Sequence, residues 1–304
     1  MTEPGATPSA TEGAPARPKS AAWALRLRVA SGVLFVPLLI LLAGVGGLAF
    51  LGFVMVQVGL GLREFYGMMR AKGLRPNTLL GFASAMAVLA LVYRPHTPYM
   101  AFLATAALLL LLAAALRHPE RSGIVESMAV TVFGVLYVGW LSGHFVLLRE
   151  LPWRAGLGYG DGAKLVLFAF LVTWGCDTGA YLVGRWLGRT RPWGAISPRK
   201  SLEGSAGGFA FAIVGSLVGA RTFMHGPSGI PWLTTTDALA IGAIVGVCGQ
   251  VGDLVESLLK RDARSGDSSD LIPGHGGILD RFDSLYFGAP LVYWYLRVVV
   301  FQVP

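Results

Sequence analysis

Near the C-terminal end of the chain, three carboxylates have the spacing of a metal site. Asp280 and Asp283 stand three apart in "LDRFDS", so they share a face if that segment is helical. Asp253 lies upstream in "GQVGDLVESLLKRD", where Gln250, Asp253, Ser257 and Lys260 recur at spacings of three and four along one helical stripe. Two helix ends presenting Asp253, Asp280 and Asp283 can converge as hard oxygen ligands of the kind that hold Mg2+. Between them runs "IPGHGG", Ile272 to Gly277. A glycine-rich turn can expose successive backbone N–H groups to phosphate oxygens. His275, set among glycines without bulky neighbours, reads as functional rather than as a packed core histidine. The plain alternative is a flexible connector before the last apolar run.

Two further clusters put polar groups where apolar ones are expected. In "WGCDTGAYLVGRWLGR", Trp174 to Arg189, Asp177 falls inside an apolar run, roughly 13 Å from its polar edge at the helical rise. An ionisable residue within a span is costly and usually marks a function, although a bond to a neighbouring helix would also account for it. Gly175, Gly179 and Gly184 allow a second helix to approach closely. In "ISPRKSLEGSAGG", Ile196 to Gly208, the donors Ser197, Arg199, Lys200 and Ser201 suit phosphate oxygens. Glu203 then precedes a small-residue helix start, where backbone N–H groups hold anions. A solvated basic loop is the alternative there. Taken together, these residues describe an anionic pocket with Mg2+, lined by Lys and Arg, which suits transfer of a phosphate-bearing group.

The elements that must carry these residues are membrane helices. Of 304 residues 54% are hydrophobic and only 14% charged, and the mean hydropathy is +0.60. A soluble domain carries about a quarter charged residues. Apolar runs of about bilayer length recur from end to end, so the expected fold class is all-α: a polytopic membrane protein. Hydropathy predicts nine spans, near 29–43, 46–62, 79–93, 98–116, 124–148, 163–186, 204–223, 236–259 and 285–303. The first four are short for a bilayer of about 30 Å and are expected to be tilted, paired or re-entrant. With the N-terminus cytoplasmic, nineteen of the 25 Lys and Arg residues fall inside, leaving Arg94, Arg149, Arg154, Lys164, Arg221 and Arg297 outside. That asymmetry follows the positive-inside rule and places all three polar clusters toward the cytoplasmic face.

The same bias accounts for the net charge of +8 through attraction to anionic headgroups. No motif joins basic residues to stacking aromatics, so a nucleic-acid partner is not expected. The first residues, "MTEPGATPSATEGAPARPKS", lack the bulky apolar side chains needed to fold. They set a disordered tail over 1–22 ahead of one transmembrane domain over 23–304. A signal peptide is the rival reading, since Arg26 and Arg28 precede a short apolar run. The apolar character resumes directly and continues to Leu62, which favours a retained pair of helices. Cys176 and Cys248 lie in apolar segments, where two thiols make neither a disulfide framework nor a zinc site.

Ser257 to Ser284, "SLLKRDARSGDSSDLIPGHGGILDRFDS", resembles the signature of the phosphatidate cytidylyltransferases: a Ser, then Lys-Arg, a Lys-Asp, "PGHGG" and Asp-Arg-x-Asp. "CDTGAYLVGRWLGR" and "SPRKSLEGSAGG" resemble two earlier blocks of that family, and weaker likeness extends to "EFYGMM" and "YVGWL". The resemblance implies CTP + phosphatidic acid → CDP-diacylglycerol + pyrophosphate, on the cytoplasmic side of the cell (inner) membrane, with the site built mainly from 174–284. It implies metal ligation by Asp253 and Asp280, with Asp283 contributing, and Mg2+ accompanied by K+ as the cofactor. Lys260, Arg261, Asp267, His275 and Arg281 are then the catalytic set. Asp177, Ser197, Lys200, Ser201, Glu203, Ser257, Gly276 and Gly277 are expected to meet CTP or the lipid headgroup. The oligomeric state stays open, with a homodimer as one arrangement.

In one place the chain departs from the pattern. Gly266 stands where the family usually has Lys, and Arg264 is the nearest upstream cation. Other readings of the pocket are a CDP-archaeol-type synthase or a lipid kinase, which change the acceptor. An ion-coupled transporter also places aspartates within the membrane. It needs access from both sides, whereas these polar residues cluster at one.

Overall fold

The computed structural model describes residues 21–94, 97–116, 123–226, 231–264 and 276–303. Among them every named element is a helix, as expected for backbone that must satisfy its own hydrogen bonds in lipid. In order these are α1 (Ala21–Val45), α2 (Gly47–Ala71), α3 (Thr78–Tyr93), α4 (Thr97–Ala115) and α5 (Ile124–Gly134). A π-helical turn (Val135–Trp140) runs from α5 into α6 (Leu141–Arg154). Then follow α7 (Gly162–Leu187), α8 (Leu202–Thr222), α9 (Thr235–Asp262) and α10 (Leu279–Tyr295), with a π-helical turn at its end (Leu296–Val300). Of the predicted tail over 1–22, residues 1–20 lie outside the described residues, and α1 has begun by Ala21.

Helices occupy the predicted apolar runs. Five are long and apolar enough to cross a membrane by length and composition: Gly47–Ala71, Ile124–Arg154, Tyr159–Leu187, Leu202–Thr222 and Thr235–Asp262. Three shorter apolar helices lie at Gly32–Val45, Thr78–Tyr93 and Tyr99–Ala115. The chain is therefore a multi-pass membrane protein, and the count of nine crossings goes beyond these five.

Helix ends follow local sequence. Gly46 and Gly47 have φ of 67° and 54° and break α1 from α2, which glycine alone does without a steric cost. Asn77 caps α3 by accepting from Leu80 N–H. Thr234 and Asp237 form a reciprocal capping box at the start of α9.

Arg149 corrects one expectation about these ends. The topology reading put it in an outer connection, yet it is 1% exposed within α6. Its Nε donates to the Ala43 carbonyl at 2.5 Å and its Nη1 to the Tyr159 carbonyl at 2.8 Å, and its guanidinium lies 4.4 Å from the Tyr159 ring centroid. The Ala43 carbonyl at the α1–α2 break and that of Tyr159 thus satisfy the buried cation, a pairing that no local pattern encodes.

The half of the molecule that carries the polar clusters is held by small residues. A Cβ added to Gly179 would lie 2.5 Å from the Phe211 side chain, and one added to Gly207 would lie 2.5 Å from Val183. At Gly204 and Gly208 it would lie 2.9 Å from the carbonyls of Ala180 and Cys176. Helices α7 and α8 therefore touch backbone to backbone, the packing small residues permit in lipid. Gly242 and Gly246 seat α9 on α8 in the same way, and Gly252 seats it on α10, where a Cβ would come 2.5 Å from the Asp283 carbonyl. Four helices are thereby locked together, and Ser284 of α10 reaches Asp177 of α7.

Candidate active site

The C-terminal halves of α7 and α9 and the N-terminal ends of α8 and α10 enclose a cavity of about 620 Å³, within the range of small-molecule sites. Helix α7 gives it one stripe, Asp177, Ala180, Tyr181, Gly184, Arg185 and Gly188, at helical spacing. The connection to α8 contributes Arg191, Ser197, Arg199 and Lys200. Asp253 comes from α9, while Asp280, Asp283 and Ser284 come from α10. Among the described residues, four carboxylates thus face four cations. Arg185, Arg191 and Arg199 are exposed, whereas Lys200, Asp253, Asp280 and Asp283 are half-buried. The cavity has a basic rim and a more acidic interior.

The carboxylates divide into two groups. One oxygen from each of Asp253, Glu256 and Asp283 lies within 4.8 Å of the others. Three anions at that separation repel unless a cation joins them, and an all-oxygen donor set suits a hard divalent ion. The residues present therefore fit Mg2+. Asp280 is outside this trio but hydrogen-bonds to its Glu256 member. Its Oδ1 lies 2.6 Å from Lys260 Nζ and its Oδ2 accepts from Gly277 N–H at 2.8 Å. Lys260 also lies 2.7 Å from Glu256 Oε2, so it bridges the two groups. Of the expected ligands Asp253, Asp280 and Asp283, the first and last lie in this cluster with Glu256, and Asp280 adjoins it. Glu256 is 1% exposed. Its signal was its spacing, three residues beyond Asp253 and four before Lys260 in "DLVESLLK".

Two of the residues expected to meet substrate serve the loop itself. Ser201, 3% exposed, caps α8 by accepting from Gly204 N–H at 3.1 Å. Glu203 accepts from the N–H groups of Arg189 and Thr190 at 3.0 and 3.1 Å, and the Leu202 N–H donates to the Thr190 carbonyl at 2.9 Å. These bonds close residues 189–203 into a compact lobe, so Glu203 holds the wall rather than lining the cavity. Lys200 points from that lobe across the cavity, its Nζ 2.7 Å from Asp253 Oδ1. Arg261 ties the far side of the lobe to α9 by donating Nε–H to the Ile196 carbonyl at 3.2 Å. Ser284 Oγ donates to Asp177 Oδ1 at 3.1 Å, so the intramembrane aspartate is bonded to a neighbouring helix and also lines the cavity.

Of the remaining predicted residues, Arg281 is exposed on the first turn of α10 and Ser257 is half-buried on α9; neither lines the cavity. Gly276 and Gly277 begin the segment leading into α10. Gly276 has φ of 77°, and a Cβ on it would lie 2.9 Å from Asp280 Oδ2. His275, Asp267 and the Gly266 departure lie outside the described residues.

Comparison with known proteins identifies the family. The profile of the cytidylyltransferase family matches residues 26–299. A phosphatidate cytidylyltransferase of Synechocystis is 35% identical over 90% of this chain and 97% of its own length. One of Staphylococcus aureus is 30% identical over 86% of this chain and 93% of its own. A third, from Bacillus subtilis, is 38% identical over 57% of this chain and 60% of its own.

Proposed function

The chain belongs to the cytidylyltransferase family, and from that membership we infer that it joins CTP to phosphatidic acid in the membrane, giving CDP-diacylglycerol and pyrophosphate. The observation that carries the reading is one cavity in which a basic rim faces Asp253, Asp280 and Asp283, with Glu256 buried close behind Asp253 and Asp283. A nucleoside triphosphate brings several negative charges and needs both features, cations for its phosphates and a metal site at the reacting phosphorus.

The reaction requires no covalent intermediate on the protein. A phosphate oxygen of the lipid attacks the α-phosphorus of CTP, the bond from that phosphorus to the bridging oxygen breaks, and pyrophosphate leaves with the electron pair. We propose Asp253, Glu256 and Asp283 as the residues that hold Mg2+. When bound, the ion polarises phosphoryl oxygens and offsets the charge that builds up on them. The accompanying K+ rests on the family resemblance. Lys200 lines the cavity from the loop beside Asp253 and is assigned to a phosphate of CTP. Arg191 and Arg199 at the rim draw in the polyanion. Lys260 orients Glu256 and Asp280 between them. Catalysis on this reading is positioning and charge stabilisation.

We also propose nine crossings with the N-terminus in the cytoplasm and the cavity opening to the cytoplasmic side of the cell membrane. Support comes from the charge asymmetry, with nineteen of 25 Lys and Arg residues on that side.

The test is direct. Purified protein in detergent is given radiolabelled CTP, phosphatidic acid and Mg2+. A CDP-lipid should form with one pyrophosphate released per product. Absence of product, or a product formed only with a different acceptor, overturns the reading.

A further inference from the structure

The cavity borrows its order from a helix that does not line it. Helix α2 runs a polar seam along α10 at helical spacing: Gln57, Gly61 and Glu64. Gln57 Nε2 donates to the Tyr286 hydroxyl at 2.8 Å. At Gly61 a Cβ would lie 3.3 Å from the Tyr286 hydroxyl oxygen and 3.5 Å from Leu279 Cδ2, so the two helices are close. Glu64, 5% exposed, then offers both oxygens to the start of α10. Oε1 accepts from Ile278 N–H at 2.9 Å and Oε2 from Leu279 N–H at 3.0 Å.

Those two amides are among the first N–H groups of α10, which no residue of the helix itself can satisfy. Where other helices here carry a side-chain cap, it comes from a neighbouring residue, as for α3 from Asn77 and α8 from Ser201. Helix α10 receives its cap from a residue 214 positions away. A carboxylate placed at a helix N-terminus also meets the positive end of the helix dipole. The next residues are Asp280, which the Gly277 N–H and Lys260 hold, and Asp283 of the carboxylate cluster. Glu64 therefore fixes the rotation and depth at which α10 presents both aspartates.

We propose that Glu64 is a positioning residue for the reaction, acting through the backbone of α10 to set Asp283 against Asp253 and Glu256. The role rests on the reading of that trio as the metal site given above. Outer partners of metal ligands commonly change affinity or activity by about 10- to 100-fold when removed.

The test uses the full-length protein in detergent with Glu64→Gln, which keeps size and can satisfy one amide while opposing the other, and Glu64→Ala, which removes the cap. Binding of Mn2+ alone is followed by electron paramagnetic resonance. Both variants should bind Mn2+ at least ~10-fold more weakly, exchange the amides of Ile278 and Leu279 faster, and lose kcat with little change in the KM for phosphatidic acid. A lower melting temperature with wild-type Mn2+ affinity and kcat in Glu64→Gln overturns the proposal, since it leaves only a fold-stabilising role. Should Glu64→Ala fail to yield monodisperse protein, Glu64→Gln decides alone. If wild-type protein makes no CDP-lipid, the reaction reading fails, while Mn2+ affinity and amide exchange still read the link between Glu64 and α10. If wild-type protein makes CDP-lipid yet the trio does not bind Mn2+, the proposal fails and the reaction stands.

Discussion

Lys200 Nζ sits 2.7 Å from Asp253 Oδ1, so a cation carried by the α7–α8 connection rests on a carboxylate assigned to the metal. The two ends of that pair have different destinations once ligands arrive: the carboxylate to a divalent ion, the ammonium to phosphate. Removing the lysine should therefore have opposite effects on the two ligands. In Lys200→Gln the KM for CTP should rise ~10-fold or more, the scale of a hydrogen bond to a charged group. Mn2+ alone should bind as well as or better than in wild type, because its competitor for Asp253 is gone. Steady-state kinetics and a metal titration check both signs. Weaker Mn2+ binding in this variant would remove the competition argument.

Neutralising the carboxylate trio separates ligands from neighbours. Asp253→Asn, Glu256→Gln and Asp283→Asn each keep shape while removing a charge, and each should cut turnover by about 100-fold, the scale of losing a charge stabiliser. All three should also lose Mn2+ affinity. Wild-type Mn2+ affinity in Glu256→Gln would return the third place in the cluster to Asp280.

Lys260 is half-buried between two acids, 2.6 Å from Asp280 and 2.7 Å from Glu256. Lys260→Met leaves Glu256 without its cation in a buried position, a change that costs about 3 kcal/mol. Its thermal midpoint in detergent should fall, and the double variant with Glu256→Gln should recover part of the loss. A double variant as unstable as the single one would mean that the lysine acts through packing.

Gly276 supplies a conformation rather than only a small side chain. Its φ of 77° is left-handed, and a Cβ would press on Asp280. Gly276→Ala places an L side chain in that region at a cost of about 1–2 kcal/mol and should displace Asp280 from the Gly277 N–H. Activity should fall while membrane insertion is retained. Calorimetric titration with CTP then distinguishes two effects. Normal CTP binding with low turnover assigns the glycine to the carboxylate, whereas lost CTP binding assigns it to the nucleotide.

Topology is checked by single cysteines in a background with Cys176 and Cys248 replaced. Arg191→Cys and Arg264→Cys should resist an impermeant thiol reagent on intact cells, and Thr234→Cys should react. The reverse pattern would invert the proposed orientation.

Much of the architecture was legible because it depends on local properties. Apolar runs must become helices in lipid, and the spacing of Gly175, Gly179 and Gly184 announced a close helix partner, which α8 is. Asp177, Ser197, Lys200, Ser201, Asp253, Asp280 and Asp283 were marked by polarity in an apolar chain, and all seven line one cavity. Their types and positions needed no fold to be noticed.

What the tertiary structure decided is who faces whom. Periodicity along α9 put Asp253 on a stripe with Ser257 and Lys260, and the close packing of α9 on α10 brings Glu256 near Asp283. Asp280 and Asp283 share a helix face, yet Asp280 meets Lys260 while Asp283 joins Asp253 and Glu256. Glu64 lay in the weakly similar "EFYGMM", 214 residues from the amides it caps, and Arg149 read as an outer-loop cation until the break between α1 and α2 supplied its carbonyl partners. Helical spacing fixes neighbours within about two turns. Contacts between helices depend on rotation and depth, which the chain sets only when all the helices pack at once.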